Sequence, residues 1–232
     1  VYMDKLAIGP GYPDGIVTLD MPPATRVSAL ATAKGCEPRD ITVSLTSRSW
    51  ADPELSNVIK LDYLITNSGD SYFGAYHAGL FVDWDVVDAL GNIGGTDPTT
   101  RAAWVGMPGG PVYGVAAVGD APVSNVTVID NVEYVYPVSH VTNHHKYQFL
   151  RGTITTPEID EPSDLSTLVA VGPLDLDPGA QVRVTLLVAR GGTVGEFLAN
   201  VRAAGAASGA VTAAPAARAP HARLALAQNS PN

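Results

Sequence analysis

A chain of 232 residues with 46% hydrophobic and 16% charged residues can bury a proper core, which excludes a solvated disordered chain. Its net charge of −9, with 14 basic residues scattered singly, excludes a nucleic-acid surface built on clustered Lys and Arg. Cys36 is the single cysteine, so no disulfide closes within the chain, and no apolar run approaches the ~18 residues of a membrane helix.

The opening, "VYMDKLAIGPG", has neither the basic nor the apolar region of a signal peptide. It also lacks an initiator Met, which suggests the start of a processed or excised piece. Short strand candidates follow at "ATRVSALATA" and "DITVSLT". In "ELSNVIKLDYLITN", Leu55, Ile59, Leu61, Tyr63 and Ile65 share one face, opposite Lys60, Asp62 and Thr66. That alternation predicts a half-buried strand. "GAYHAGLFVDWDV" repeats it with Tyr76, Ala78, Leu80, Val82 and Trp84. "RAAWV", "VYGVAAV" and "VTVID" are shorter strands, and "NHHKYQFL" is a short helical turn. "QVRVTLLVA" alternates again through Val182, Val184, Leu186 and Val188.

The clearest helix is "TVGEFLANVRAAGAAS". Thr193 and Glu196 form a capping box, and Val194, Phe197, Leu198 and Val201 lie on one face. From Gly209 the composition turns to Ala, Pro and isolated Arg, which marks a linker. The expected architecture is all-β: an antiparallel, jelly-roll-like β-sandwich over residues 1–208 with one C-terminal helix. An extended tail over 209–232 follows it.

The tail ends in "LAQNSPN", which resembles the opening of the C-terminal sorting domain of type IX secretion cargo. Leu226, Gln228, Asn229, Pro231 and Asn232 match that phrase, and Ser230 departs at its usual aromatic position. The resemblance implies a mature C-terminus, or a truncation near it, of an exported bacterial protein. "AGLFVDWDV" with "TDPTTRAAWV" resembles a segment of the C-terminal regions of large secreted bacterial proteins, often behind subtilisin-like peptidase domains. "VGPLDLDPGAQVRVTLLVARGGTVGEFLANVRAA" resembles the strand–turn–strand–helix that closes those regions. These phrases span Leu61 to Ala204 and bring no catalytic residue with them, because the peptidase motifs do not occur.

Candidate chemistry centres on "DWDVVDALGNIGGTD". Asp83, Asp85, Asp88, Asn92 and Asp97 are hard oxygen donors on a Gly-rich stretch, which suits a structural Ca²⁺ ion. The alternative is a solvated acidic loop with Asx turns. His144 and His145 are adjacent and His77 is far from the acids along its strand, so zinc has little support. No G-x-S-x-G elbow occurs, and "GDSYFGAYH" reads as a turn. Cys36 reads as structural, and "GNIGG" and "GMPGGP" as loops rather than phosphate cradles. Trp50, Trp84 and Trp104 are either a sugar-stacking platform or core.

The resulting expectation is a non-catalytic, extracellular or cell-surface structural module, not an enzyme, self-assembling into a filament or surface layer. The alternative is a carbohydrate-binding accessory module of a secreted enzyme. As partner the chain is expected to have further copies of itself, joined through an edge strand or the tail, where Leu224 and Leu226 alternate with Ala225 and Ala227.

Overall fold

The computed structural model describes residues 17–19, 41–50, 52–136 and 142–209. The segment "ATRVSALATA", Cys36 and the tail beyond Gly209 lie outside the described residues.

Among the described residues, eleven strands form two antiparallel sheets. They are β1 (Val17–Leu19), β2 (Ile41–Ser49), β3 (Val58–Asn67), β4 (Phe73–Trp84), β5 (Asn92–Asp97), β6 (Ala102–Gly106), β7 (Val112–Val118), β8 (Val123–Asp130), β9 (Glu158–Ser163), β10 (Leu165–Leu176) and β11 (Gln181–Gly191). The larger sheet runs β1-β2-β3-β11-β7-β6-β5-β9, and the smaller runs β4-β10-β8. Three helices accompany them: α1 (Asn131–Tyr134), α2 (Asn143–Arg151) and α3 (Val194–Gly209). The expected all-β sandwich with a closing helix is what the chain forms.

Period-two patterning holds within the strands, while Leu55, read onto the face of β3, lies in the turn before it and packs in the layer under α3. Leu61, Tyr63 and Ile65 of β3 join Val184 and Leu186 of β11 and Val169 and Val171 of β10 in the core between the sheets. Tyr76, Ala78, Leu80, Val82 and Trp84 of β4 lie along the same core, each half-buried. The other face of the large sheet is covered by α3. There Phe197, Val201 and Ala204 pack on Val58, Ala102, Ala116 and Leu187, all buried. Thr193 caps this helix by accepting from the Glu196 amide at 3.2 Å, and Glu196 accepts from the Gly192 amide at 2.8 Å. Helix α2 covers the outer face of the small sheet, where Phe149 and Leu150 meet Ile129, Leu168 and Ala170. Its ends are marked by Thr142, which accepts from the His145 amide, and by Gly152 in the left-handed region.

Strand β9 and helix α1 have no counterpart in the sequence reading, and β10 and β5 depart from it. Strand β10 is buried on both faces from Leu165 to Gly172, so "LSTLVAVG" carries no polar alternation for a period-two test to find. The Gly-rich stretch expected as a flexible loop is instead strand β5, held between β6 and β9. A Cβ on Gly94 would meet Val128 Cγ1 at 2.8 Å, and one on Gly95 would meet Trp104 Cζ2 at 2.7 Å. These glycines admit close neighbours rather than motion.

Candidate functional site

Three chain segments meet at one end of the small sheet. β4 finishes there with Asp83 and Trp84, β8 finishes with Asp130, and β10 begins with Leu165 and Ser166. The ladder sets Ser166 across from Asp83 on one side and from Ile129 on the other. Asp130 then starts α1 by accepting from the amides of Val132 (2.8 Å) and Glu133 (3.4 Å). That turn places Asn131, 1% exposed, over the junction.

Asn131 connects two carboxylates. Its side-chain amide donates to Asp83 Oδ1 at 2.7 Å and to Asp164 Oδ1 at 2.5 Å. The Ser166 hydroxyl lies 2.7 Å from Asn131 Oδ1 and 3.2 Å from Asp83 Oδ1. Ser163 donates to Asp130 Oδ2 at 3.2 Å. Asp164 is itself 6% exposed. Burial pushes its carboxyl above the usual carboxylate range; the Asn131 hydrogen bond opposes this, while the charges of Asp83, Asp85 and Asp130 add to it. Asp164 therefore keeps its proton to higher pH than an ordinary carboxyl does.

Beside it opens a cleft of about 250 Å³ lined by Trp84, Asp85, Val86, Val87, Pro111 and Tyr113. The rings of Trp84 and Tyr113 lie 6.1 Å apart at 30°, and Trp84 donates to Thr167 Oγ1 at 2.8 Å. Trp50 and Trp104 lie in the layer under α3, so the three tryptophans form no common platform. His144 and His145 have ring centroids 6.5 Å apart. His77 sits elsewhere, against Gly172.

The five oxygen donors read from the sequence are put to separate uses. Asp83 is bound to Asn131 and Ser166, and Asp85 lines the cleft. Asp88 accepts from the Leu90 amide at 3.2 Å, and Asp97 from the amides of Thr99 (2.8 Å) and Thr100 (2.9 Å). Asn92, fully buried, donates to the carbonyls of Asp88 and Ala89, while its Oδ1 has no partner. Among the described residues, no three His, Cys, Asp or Glu side chains converge as a metal site would require. The sequence reading missed Asp130, Asn131, Asp164 and Ser166. The signal available was "IDNVE", where Asp followed by Asn after a strand marks a helix start.

A family model described as bacterial fructose-1,6-bisphosphatase, glpX-encoded, matches residues 1–155. No curated protein matches the chain. The family match overturns the expectation of a non-catalytic structural module, and with it the carbohydrate-binding alternative. It equally overturns the assignment to secreted C-terminal regions, and the secretion, sorting, cell-surface and filament expectations that followed from it. The physical reason is that the phrases carrying that resemblance report a fold. Alternating strands, an acidic turn and a hairpin leading to a capped helix are local structure, which unrelated chains share, and they carry no chemistry of their own. The sorting phrase itself lies outside the described residues.

Family membership implies a divalent cation, because fructose-1,6-bisphosphatases depend on one. As they stand, the described side chains form no such site: Asp83, Asp88 and Asp97 are held by amide or hydroxyl donors, and no three acidic or histidine side chains converge among the described residues. The architecture differs as well, since a fructose-1,6-bisphosphatase domain is typically α/β and this body is all-β. The matched stretch ends between α2 and β9, so β10, the central strand of the small sheet, and β11, an inner strand of the large one, lie beyond it. With 155 of its 232 residues matched, the chain belongs to the family of bacterial, glpX-encoded fructose-1,6-bisphosphatases.

Proposed function

We propose that the protein is a phosphatase that hydrolyses a phosphate monoester of a sugar bisphosphate, with fructose 1,6-bisphosphate as the substrate to test first. The observation that carries this reading is the family match over residues 1–155. A bisphosphate brings about three to four negative charges, and the chain itself carries −9, so a neutralising cation would favour binding. Calcium is the narrower proposal for that ion. Asp83, Asp85, Asp88, Asn92 and Asp97 offer only oxygen donors, which suit a hard cation. Binding there would draw Asp88 and Asp97 away from the turns they cap.

The test is release of inorganic phosphate from fructose 1,6-bisphosphate by the full chain, after EDTA treatment and re-addition of Mg²⁺, Mn²⁺ or Ca²⁺ in turn. The expected result is release that EDTA abolishes and a divalent cation restores. Absence of release with all three cations would overturn the reading. Restoration by Mg²⁺ or Mn²⁺ but not Ca²⁺ would overturn only its narrower form.

A further inference from the structure

The four sheet edges are not treated alike. Edge β8 is covered: the Val128 amide donates to the Thr156 carbonyl at 3.0 Å, and the Thr156 amide to Thr127 Oγ1 at 2.7 Å. Asn125 adds hydrogen bonds to the carbonyls of Phe149 and Ile154. Edge β9 carries Glu158, Asp160, Glu161 and Pro162, residues that repel or interrupt an incoming strand. Edge β1 has three residues. Edge β4 has twelve, with no Pro, Lys or Arg.

Strand β4 pairs with β10 alone, in unbroken register from Ala78 to Trp84. Among the described residues, no backbone hydrogen bond outside that ladder involves residues 76–84. Two further features mark a missing neighbour. The core-facing Leu80 and Val82 are only half-buried, whereas Val169 and Val171 on the adjacent strand are 0% and 1% exposed. On the other face Phe81 is 43% exposed.

We propose that the edge of β4 over Ala78–Trp84, unpaired among the described residues, pairs antiparallel with β4 of a second copy, about a twofold axis at Phe81. This register is self-compatible. Phe81 meets Phe81, Leu80 meets Val82, and Ala78 meets Trp84. Asp83, the sole charged residue between Ala78 and Trp84, meets Gly79 rather than its own counterpart. Aromatic cross-strand pairs favour such a ladder, and like charges placed opposite would oppose it. The two small sheets become one of six strands, and the interface closes on itself because each copy has one such edge.

The test measures the full chain by light scattering and by hydrogen exchange over a dilution series, for wild type and Phe81→Lys. The substitution puts two cations opposite each other on an exposed site, and unchanged circular dichroism and melting confirm that the variant folds. The expected result is a wild-type dimer in which those 78–84 amides that point away from β10 lose protection on dilution, and a variant at least about tenfold weaker in dimerisation. A wild type that stays monomeric at high concentration would overturn the proposal. So would protection of those same amides that dilution leaves unchanged, which would mean that another part of the same chain occupies the edge. A dimer unaffected by Phe81→Lys, or growth beyond two copies, would also overturn it.

Discussion

Asn131 holds Asp164 by two bonds at once: its backbone amide donates to the Asp164 carbonyl at 2.9 Å, and its side-chain amide donates to the carboxylate at 2.5 Å. The same side chain reaches Asp83, so one neutral residue joins the start of β10, the end of β4 and the end of β8. Replacing it with Ala would leave two carboxylates facing each other with fewer donors. Asn131→Ala is expected to cost about 2–3 kcal/mol in urea unfolding. Asn131→Asp, which adds a third carboxylate, should cost more near neutral pH than in mild acid.

The Asp164 carboxyl gives stability a definite pH slope. Its folded value lies above the ordinary one, so the native chain keeps this proton to higher pH than the unfolded chain does. The contribution is full below the unfolded carboxylate range and is lost as pH rises through the raised native value. Asp164→Asn should flatten the melting-temperature profile over that window. A variant profile parallel to the wild type would assign the slope to other groups.

Phe197 is fully buried where α3 meets the large sheet, and it lies against Gly114, at which a Cβ would stand 2.8 Å from the ring. Phe197→Ala is expected to cost about 3–5 kcal/mol, because it empties a fully buried site between α3 and the large sheet. Gly114→Ala should also destabilise, by about 1–3 kcal/mol. Its Cβ would sit against the Ala103 carbonyl oxygen, which belongs to backbone and cannot rotate away.

Asp97 accepts from two backbone amides at the turn before β6. Asp97→Ala should cost about 1 kcal/mol in EDTA, as for loss of a helix cap. Calcium that raises the melting temperature of the wild type but not of this variant would support the calcium form of the proposed function. Equal stability of the two proteins in EDTA would show that the cap contributes nothing.

Strands with one wet or half-covered face were legible because polar residues interrupt the apolar ones: β3, β4 and β11 are of this kind. β10 was invisible to the same test, since a strand covered on both faces needs no polar beat. The glycines of β5 suggested motion, while in the fold they make room for Val128 and Trp104. The site was half legible. Asp83 and Asp85 stand together in the sequence, but Asp130, Asn131, Asp164 and Ser166 reach them only through the ladder that places β10 between β4 and β8. No local pattern encodes that meeting.

The central place of β10 also governs how the molecule is made. Its first residue, Leu165, pairs with Trp84 and Asp130, both synthesised well before it. β11 likewise enters between β3 and β7 after both exist. Neither sheet can close until the last third of the chain is available. The contact order is high, and folding should be slow relative to helical proteins of equal length. During that wait β4 lacks its β10 partner, so its backbone is exposed to pairing with other chains before the small sheet can form.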